Sequence, residues 1–370
     1  MAFGFRLWIM VIKKERSSNI ELLKIFCMLG VIILHYNNSS IGKAFSYAPL
    51  HSLRSYALYF LQSMSISAVD IFVLISGYFM CKSQKVDLKK PIRLLIQVVV
   101  FRELLYITQT LAHGNALQWK WIWQLLFPKS WFAVLYAALC VLSPFINRLL
   151  SSLSDKSMKS FMWVMFIVCS LWPYGVDLLA GFSRYNFDGL STVGMYGSQF
   201  GYTIVQFVFM YCVGAWLRRF EGKSKLWQNL VALLSGWLIL FVFSYYLITH
   251  KMDIRYAFSY GSPLVIANAV CLFRIFKRIP MKNNPVINSM AATTFSVYLL
   301  NSTIISELLD TKKYVESSGW LMLLHMGFAC VVVFLISYAA QLLYDLITKP
   351  IYKLTDKLFR FNTVIRTDDP

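Results

Sequence analysis

Long apolar runs recur from one end of the chain to the other, and they exclude every water-soluble fold. Ten can be marked, at roughly 20–36, 56–80, 92–112, 131–149, 161–180, 201–217, 228–248, 260–276, 291–309 and 320–347. Most approach the roughly 20 residues that a helix needs to cross a hydrocarbon core about 30 Å thick. The 370 residues are 58% hydrophobic and 14% charged, against about half and a quarter in soluble domains. The expectation is an all-α polytopic membrane protein with about ten transmembrane helices. It forms a single integral-membrane domain over 1–370, with no linker, low-complexity tract or internal repeat to divide it.

Charge sets the orientation. Lys and Arg number 36 against 17 Asp and Glu, a net charge of +19. On a soluble chain that excess would point to nucleic acid; here the basic residues gather in short connections between apolar runs, so no nucleic-acid partner is expected. With the N-terminus inside, the inner connections and both tails hold 23 Lys/Arg, counting Arg148 with the loop it borders, and the outer loops hold 9. This inside excess predicts both termini in the cytoplasm, residues 1–19 as an N-terminal segment and 348–370 as a tail. Lys13, Lys14 and Arg16 follow the first short apolar patch instead of preceding it, which is the wrong order for a cleavable signal, and Met10 is an alternative start. The seven cysteines form no Cys-x-x-Cys pair, fall mostly in apolar runs, and read as small buried hydrophobes rather than disulfides or metal ligands.

Polar groups inside the apolar runs are the candidates for function, because a titratable side chain in a membrane is costly unless it is used or paired. Lys24 and His35 lie eleven residues apart in the first run, about 16 Å of helix rise and close to three full turns, so they share a face. Counting along the helices places Asp70 of the second run level with Arg102 and Glu103 of the third, and Arg93 at the inner boundary. The first three runs are joined by short loops and are expected to be neighbours. Together they describe a polar column: cations at the inner mouth, an acid–base cluster near mid-membrane, and an imidazole in the outer half. Each member also has a structural alternative. Asp70 with Arg102 reads equally as an ion pair, Glu21 with Lys24 as a pair on one helix surface, and His35 as a hydrogen-bonded interior histidine. His325 is a further interior histidine, and His51, His113 and His250 fall in or beside outer loops. Ser76-Gly77-Tyr78 reads as a packing motif in which glycine permits close backbone approach. Trp119, Trp121, Trp123, Trp131 and Phe132 form an aromatic cluster suited to the outer interface.

In order and spacing, these features resemble the acyltransferase-3 family of integral membrane acyltransferases. Lys24, ten residues and His35 resemble the family's first-helix signature, and Val69–Tyr78 its second-helix stretch ending in Ser-Gly-Tyr. Lys90-Pro91-Ile92-Arg93 resembles the basic pair opening its third helix. Trp131-Phe132 through Ser143-Pro144-Phe145 resembles its fourth, and Phe295–Leu299 its late Tyr-Leu helix. Relatives often carry a histidine shortly after that Tyr-Leu, where this chain has Asn301.

The resemblance implies transfer of an acyl group, usually acetyl, from cytoplasmic acyl-CoA to a hydroxyl of a cell-surface glycan or its lipid-linked precursor, in a bacterial inner membrane. Acetyl-CoA is then a co-substrate, with no tightly bound cofactor and no metal. His35 is the candidate base with Asp70 as its catalytic companion, and Lys24, Lys90 and Arg93 are candidates for the donor's phosphates. Arg102, Glu103, Ser76, Tyr78 and Trp131 are candidates for the channel or acceptor site. Direct transfer needs no protein nucleophile; a transient acyl-imidazole on His35 is the variant. A secondary transporter using the polar column as a proton or substrate path is the competing class.

Overall fold

In the computed structural model, residues 16–85, 87–183, 185–222 and 224–358 can be described, and none of them forms a strand. The segment 1–15, with Lys13, Lys14 and the alternative start Met10, and the residues after 358 lie outside this set.

The first apolar run forms α1, Ser18–Asn37. A four-residue turn α2, Ala44–Tyr47, leads to α3, Leu53–Ser65, and α4, Ala68–Met80. α3 and α4 form one apolar stretch of 28 residues, Leu53–Met80. Next come α5, Lys89–Ala112, the short α6, Trp119–Leu125, and α7, Trp131–Ser152. Helices α8, Asp155–Phe166, and α9, Trp172–Ser183, are joined by a π-helical turn at Ile167–Leu171. Pro173 begins just beyond that turn, and its missing N–H removes a rung from the ladder. Then follow α10, Ile204–Arg219, α11, Leu226–Thr249, and α12, Pro263–Lys277. The chain closes with α13, Pro285–Ala292, α14, Thr294–Leu308, α15, Thr311–Ser317, and α16, Gly319–Leu358.

Among the described residues, seven stretches are long and apolar enough to cross a membrane: α1, α3–α4, α5, α7, α8–α9, α11 and α16. The other three apolar runs form α10, α12 and α14, of 16, 15 and 15 residues, which reach about 24 Å or less at 1.5 Å per residue. Burial does not simply follow length. α3–α4 is 72% buried over its most apolar window and α1 56%, whereas α5 is 17% and α8–α9 22% buried. α10 is buried over most of its length, from Gln206 to Leu217. The short helices sit inside together with the long α1 and α3–α4, and the remaining long helices form the wall with apolar side chains outward. On α11 that outward stripe is Leu234, Leu238 and Val242, one helical turn apart on a single face.

α1 lies at the centre, packed against α3, α4, α12, α13, α14 and α16. Its principal apolar cluster includes Leu23, Met28 and Ile32 of α1 with Leu74 of α4, Phe209 of α10 and Phe273 of α12. The expected neighbourhood of the first three runs is corrected in one respect. α1 meets α3 and α4, but α5 packs chiefly on α7 and α14, and α10 is the main partner of α4. The cause is a pair of glycines. A Cβ on Gly77 would overlap the backbone of Tyr211, and one on Gly214 would overlap Leu74 and Tyr78. The two backbones meet where only hydrogen projects, as the Ser-Gly-Tyr reading anticipated.

α16 runs for 40 residues, about 60 Å, so the first part of the expected tail, 348–358, continues this helix. Asp356 on this extension bonds Arg93 at 2.8 Å and Lys89 at 3.2 Å, tying it to the start of α5. All seven cysteines are free.

Candidate functional site

α1 carries the polar groups that begin and end the site. Near its start, Lys24 pairs with Glu21 at 2.9 Å across one helical turn. Both line a cavity of about 520 Å³ together with Arg16. Farther along, the lining becomes apolar, with Met28 and Val31 facing Phe72 and Val69. Ser76 is part of this wall, and its hydroxyl bonds Tyr136 at 2.8 Å and the Phe72 carbonyl at 3.0 Å. The serine is thus held by its own helix and by α7.

Phe132 and Tyr298 close the far end, their ring centroids 5.3 Å apart. Tyr298 also lines a second cavity, of about 490 Å³, on the other side. The Tyr298 hydroxyl is 3.1 Å from Ser130 Oγ, so α14 and the start of α7 are latched where the two cavities come closest. His35 lines the second cavity, with Arg102, Gln109, Lys129 and Trp131.

The imidazole of His35 is held through one nitrogen. Nδ1 is in hydrogen-bond contact with Asn301 Oδ1 and lies 3.3 Å from Ser302 Oγ. The Asn301 amide has one orientation available, because its Nδ2 donates to the carbonyls of Val297 at 2.9 Å and Tyr298 at 2.7 Å. Its oxygen must then accept from His35, which puts the imidazole proton on Nδ1 and leaves Nε2 with a free lone pair. The backbone around His35 is fixed as well. Its carbonyl accepts from Gly42 N–H at 3.1 Å, and a Cβ on Gly42 would collide with the backbone of Tyr36.

The remaining candidates are placed as follows. Arg102 and Trp131 join His35 in the second cavity, while Lys24 and Ser76 line the first. Asp70, Lys90, Arg93, Glu103 and Tyr78 line neither. The expected Asp70–Arg102 partnership is absent. Asp70 is 2% exposed and accepts from Gln206 Nε2 at 3.2 Å, while the same amide nitrogen donates to the Tyr260 carbonyl at 2.8 Å. Arg102 donates to the Phe127 carbonyl at 2.5 Å. The physical reason is the packing already described: α10, not α5, covers Asp70.

Arg93 and Lys89, in that order of strength, hold the Asp356 carboxyl below the usual carboxylate range. The Arg93 guanidinium also sits 4.6 Å from the Tyr352 ring. Lys90 is exposed. One oxygen of Glu103 is buried and without a hydrogen-bond partner. Tyr78 faces away from both cavities, toward Glu221 at 2.5 Å and Arg218 at 3.0 Å. The Tyr78 hydroxyl and then Lys277 hold the Glu221 carboxyl below its ordinary range. His325 bonds the Tyr36 hydroxyl at 2.9 Å, a satisfied interior histidine. Among the described residues, no group of three or more His, Cys, Asp or Glu side chains is gathered to hold a metal ion.

Sequence reasoning left Asn301, Ser302 and Tyr298 out of the site. The offsets Tyr298 to Asn301 and Ser302, three and four residues, put all three on one helical face. That periodicity was the available signal, but nothing local to α14 says that this face meets α1.

Two cavities that share Tyr298, one lined by Lys24 and the other by His35, lie in an all-helical bundle with an outward apolar surface, the architecture of a multi-pass membrane protein. The chain belongs to the acyltransferase-3 family: the family's acyltransferase domain matches residues 17–342. Comparison with curated proteins and with solved structures gave no match.

Proposed function

We propose that this protein transfers an acetyl group from cytoplasmic acetyl-CoA to a hydroxyl of a cell-surface glycan or its lipid-linked precursor, in the inner membrane of a bacterium. The reading takes the chain as one membrane domain with ten crossings and both ends in the cytoplasm. Its three short helices then cross inside the ring of long ones. What supports it above all is the order beside α1: Arg16 and the Lys24–Glu21 pair, an apolar shaft, the Phe132–Tyr298 wall of α7 and α14, and the His35 imidazole.

The donor enters the first cavity. Its phosphates meet Arg16 and Lys24 at the mouth, where each cation is already steadied, Arg16 by the Asn288 carbonyl and Lys24 by Glu21. The pantetheine arm follows the apolar shaft over a length comparable to the Lys24–His35 rise of about 16 Å. The Tyr298–Ser130 bond is the contact that opens to let the thioester reach His35. The acceptor hydroxyl arrives from the second cavity and gives its proton to His35 Nε2 while its oxygen attacks the thioester carbonyl. The C–S bond breaks, the acyl–oxygen bond forms, and the CoA thiolate takes the proton from the imidazolium. Asp70 supports this site through the α4–α10 seam; Lys90 and Arg93 add positive charge at the inner surface.

His35→Ala is expected to abolish transfer while the protein remains inserted and abundant. A deletion strain carrying this variant is assayed for ester-linked acetate on its surface glycans; acetylation at the wild-type level removes His35 as the base. Solute uptake that depends on His35, with no change in ester, would favour the transporter instead.

A further inference from the structure

The second cavity carries charge of one sign. Arg102 and Lys129 line it beside His35, and no Asp or Glu is among its lining residues. Glu103, next to Arg102 on α5, does not line it, and no ion pair joins the two among the described residues. Among the described residues Arg102 makes one hydrogen bond, to the Phe127 carbonyl at 2.5 Å. A guanidinium has five N–H donors, so donors remain for a ligand. Lys129 is exposed at the same cavity.

The uncharged part of the lining has its own chemistry. The Trp131 ring is braced by Tyr202 at 4.5 Å and by Tyr260, stacked at 6.0 Å. These contacts restrain the ring on two sides. Gln109 and Ser302 add an amide and a hydroxyl, which can donate and accept. Sugars present C–H faces to aromatic rings and hydroxyls to amides, and a neutral sugar needs no cation. Two cations in a recess without a carboxylate focus a positive potential there, and a guanidinium matches a carboxylate or phosphate in two-pronged geometry.

We infer that the acceptor is an acidic carbohydrate, with a carboxylate or phosphate near the hydroxyl that is acylated, and that Arg102 and Lys129 hold this anion while His35 takes the hydroxyl's proton. The inference rests on the acyl-transfer reading and narrows it from any glycan to an anionic one.

The test uses the full-length protein in its host. Glycans from the deletion strain, complemented with wild type or with Arg102→Gln/Lys129→Gln, are separated by anion exchange into neutral, uronic-acid-bearing and phosphate-bearing fractions. Ester-linked acetate is then measured in each. Wild-type acetate is expected in an anionic fraction, and the fraction identifies the anion. It should fall at least tenfold in the double variant while the binding of acetyl-CoA to purified protein stays unchanged. Lys129→Gln alone changes an exposed side chain without disturbing the fold, and should lower it severalfold. Acetate on the neutral fraction, or undiminished acetate in Lys129→Gln, overturns the acidic acceptor. No ester in any fraction with the wild type present overturns acyl transfer itself, and this inference with it.

Discussion

At the scale of single residues, Asn301 carries the most information about how His35 works. A histidine alone is a weak base with two equivalent-looking nitrogens, and its neighbour decides which one is free. Asn301 makes that decision because its own amide nitrogen is committed to Val297 and Tyr298. An asparagine suffices here, since the task is to accept one hydrogen bond at a fixed position. Removing a buried hydrogen-bond acceptor costs about 1–3 kcal/mol, so Asn301→Ala should lower kcat by roughly ten- to a hundredfold. The KM for acetyl-CoA should be unchanged, because Asn301 does not line the donor cavity. Steady-state kinetics on purified protein separate the two parameters; a wild-type kcat would show that the tautomer is set by something else.

At the scale of elements, the site depends on how closely α4 and α10 approach. Gly77 and Gly214 each face the opposite backbone, the Asp70–Gln206 contact lies along the same seam, and Tyr211 beside Gly77 ties α10 on to Asn147 of α7. Gly77→Val would place three carbons where a backbone already stands. Overpacking of this kind costs about 1–3 kcal/mol and sometimes more. A lower midpoint of thermal unfolding in detergent is expected, with transfer reduced through the displaced wall of the first cavity. A midpoint equal to wild type would mean that the two helices separate without penalty.

At the scale of the whole molecule, the arrangement solves a problem of lengths. Helices α10, α12 and α14 are too short to span a hydrocarbon core alone, yet they carry few outward apolar side chains because longer helices enclose them. Backbone that is shielded by protein need not match the bilayer. If the ten-crossing reading holds, single cysteines at Lys43 and Lys313 should react with a membrane-impermeant thiol reagent in intact cells, and cysteines at Lys82 and Lys282 only after lysis. Labelling of Lys282→Cys from outside would change the number of crossings and reverse the reading of α14.

Much of this was determined by the sequence alone. The apolar runs dictate helices because in lipid every backbone group has to be satisfied within its own segment. The eleven-residue interval dictates that Lys24 and His35 share a face, because helix geometry is local. The Ser-Gly-Tyr stretch signalled a close crossing, because glycine's missing side chain has few other uses in a membrane helix. Which helix makes that crossing was decided only by the tertiary structure, and so were the loss of Asp70 to Gln206 and the turn of Tyr78 toward Glu221. Asn301 likewise met His35 from 266 residues away. These are contacts between segments remote in the chain, selected by how the bundle packs as a whole. Helical periodicity specifies which residues share a face; it does not specify which other helix that face meets.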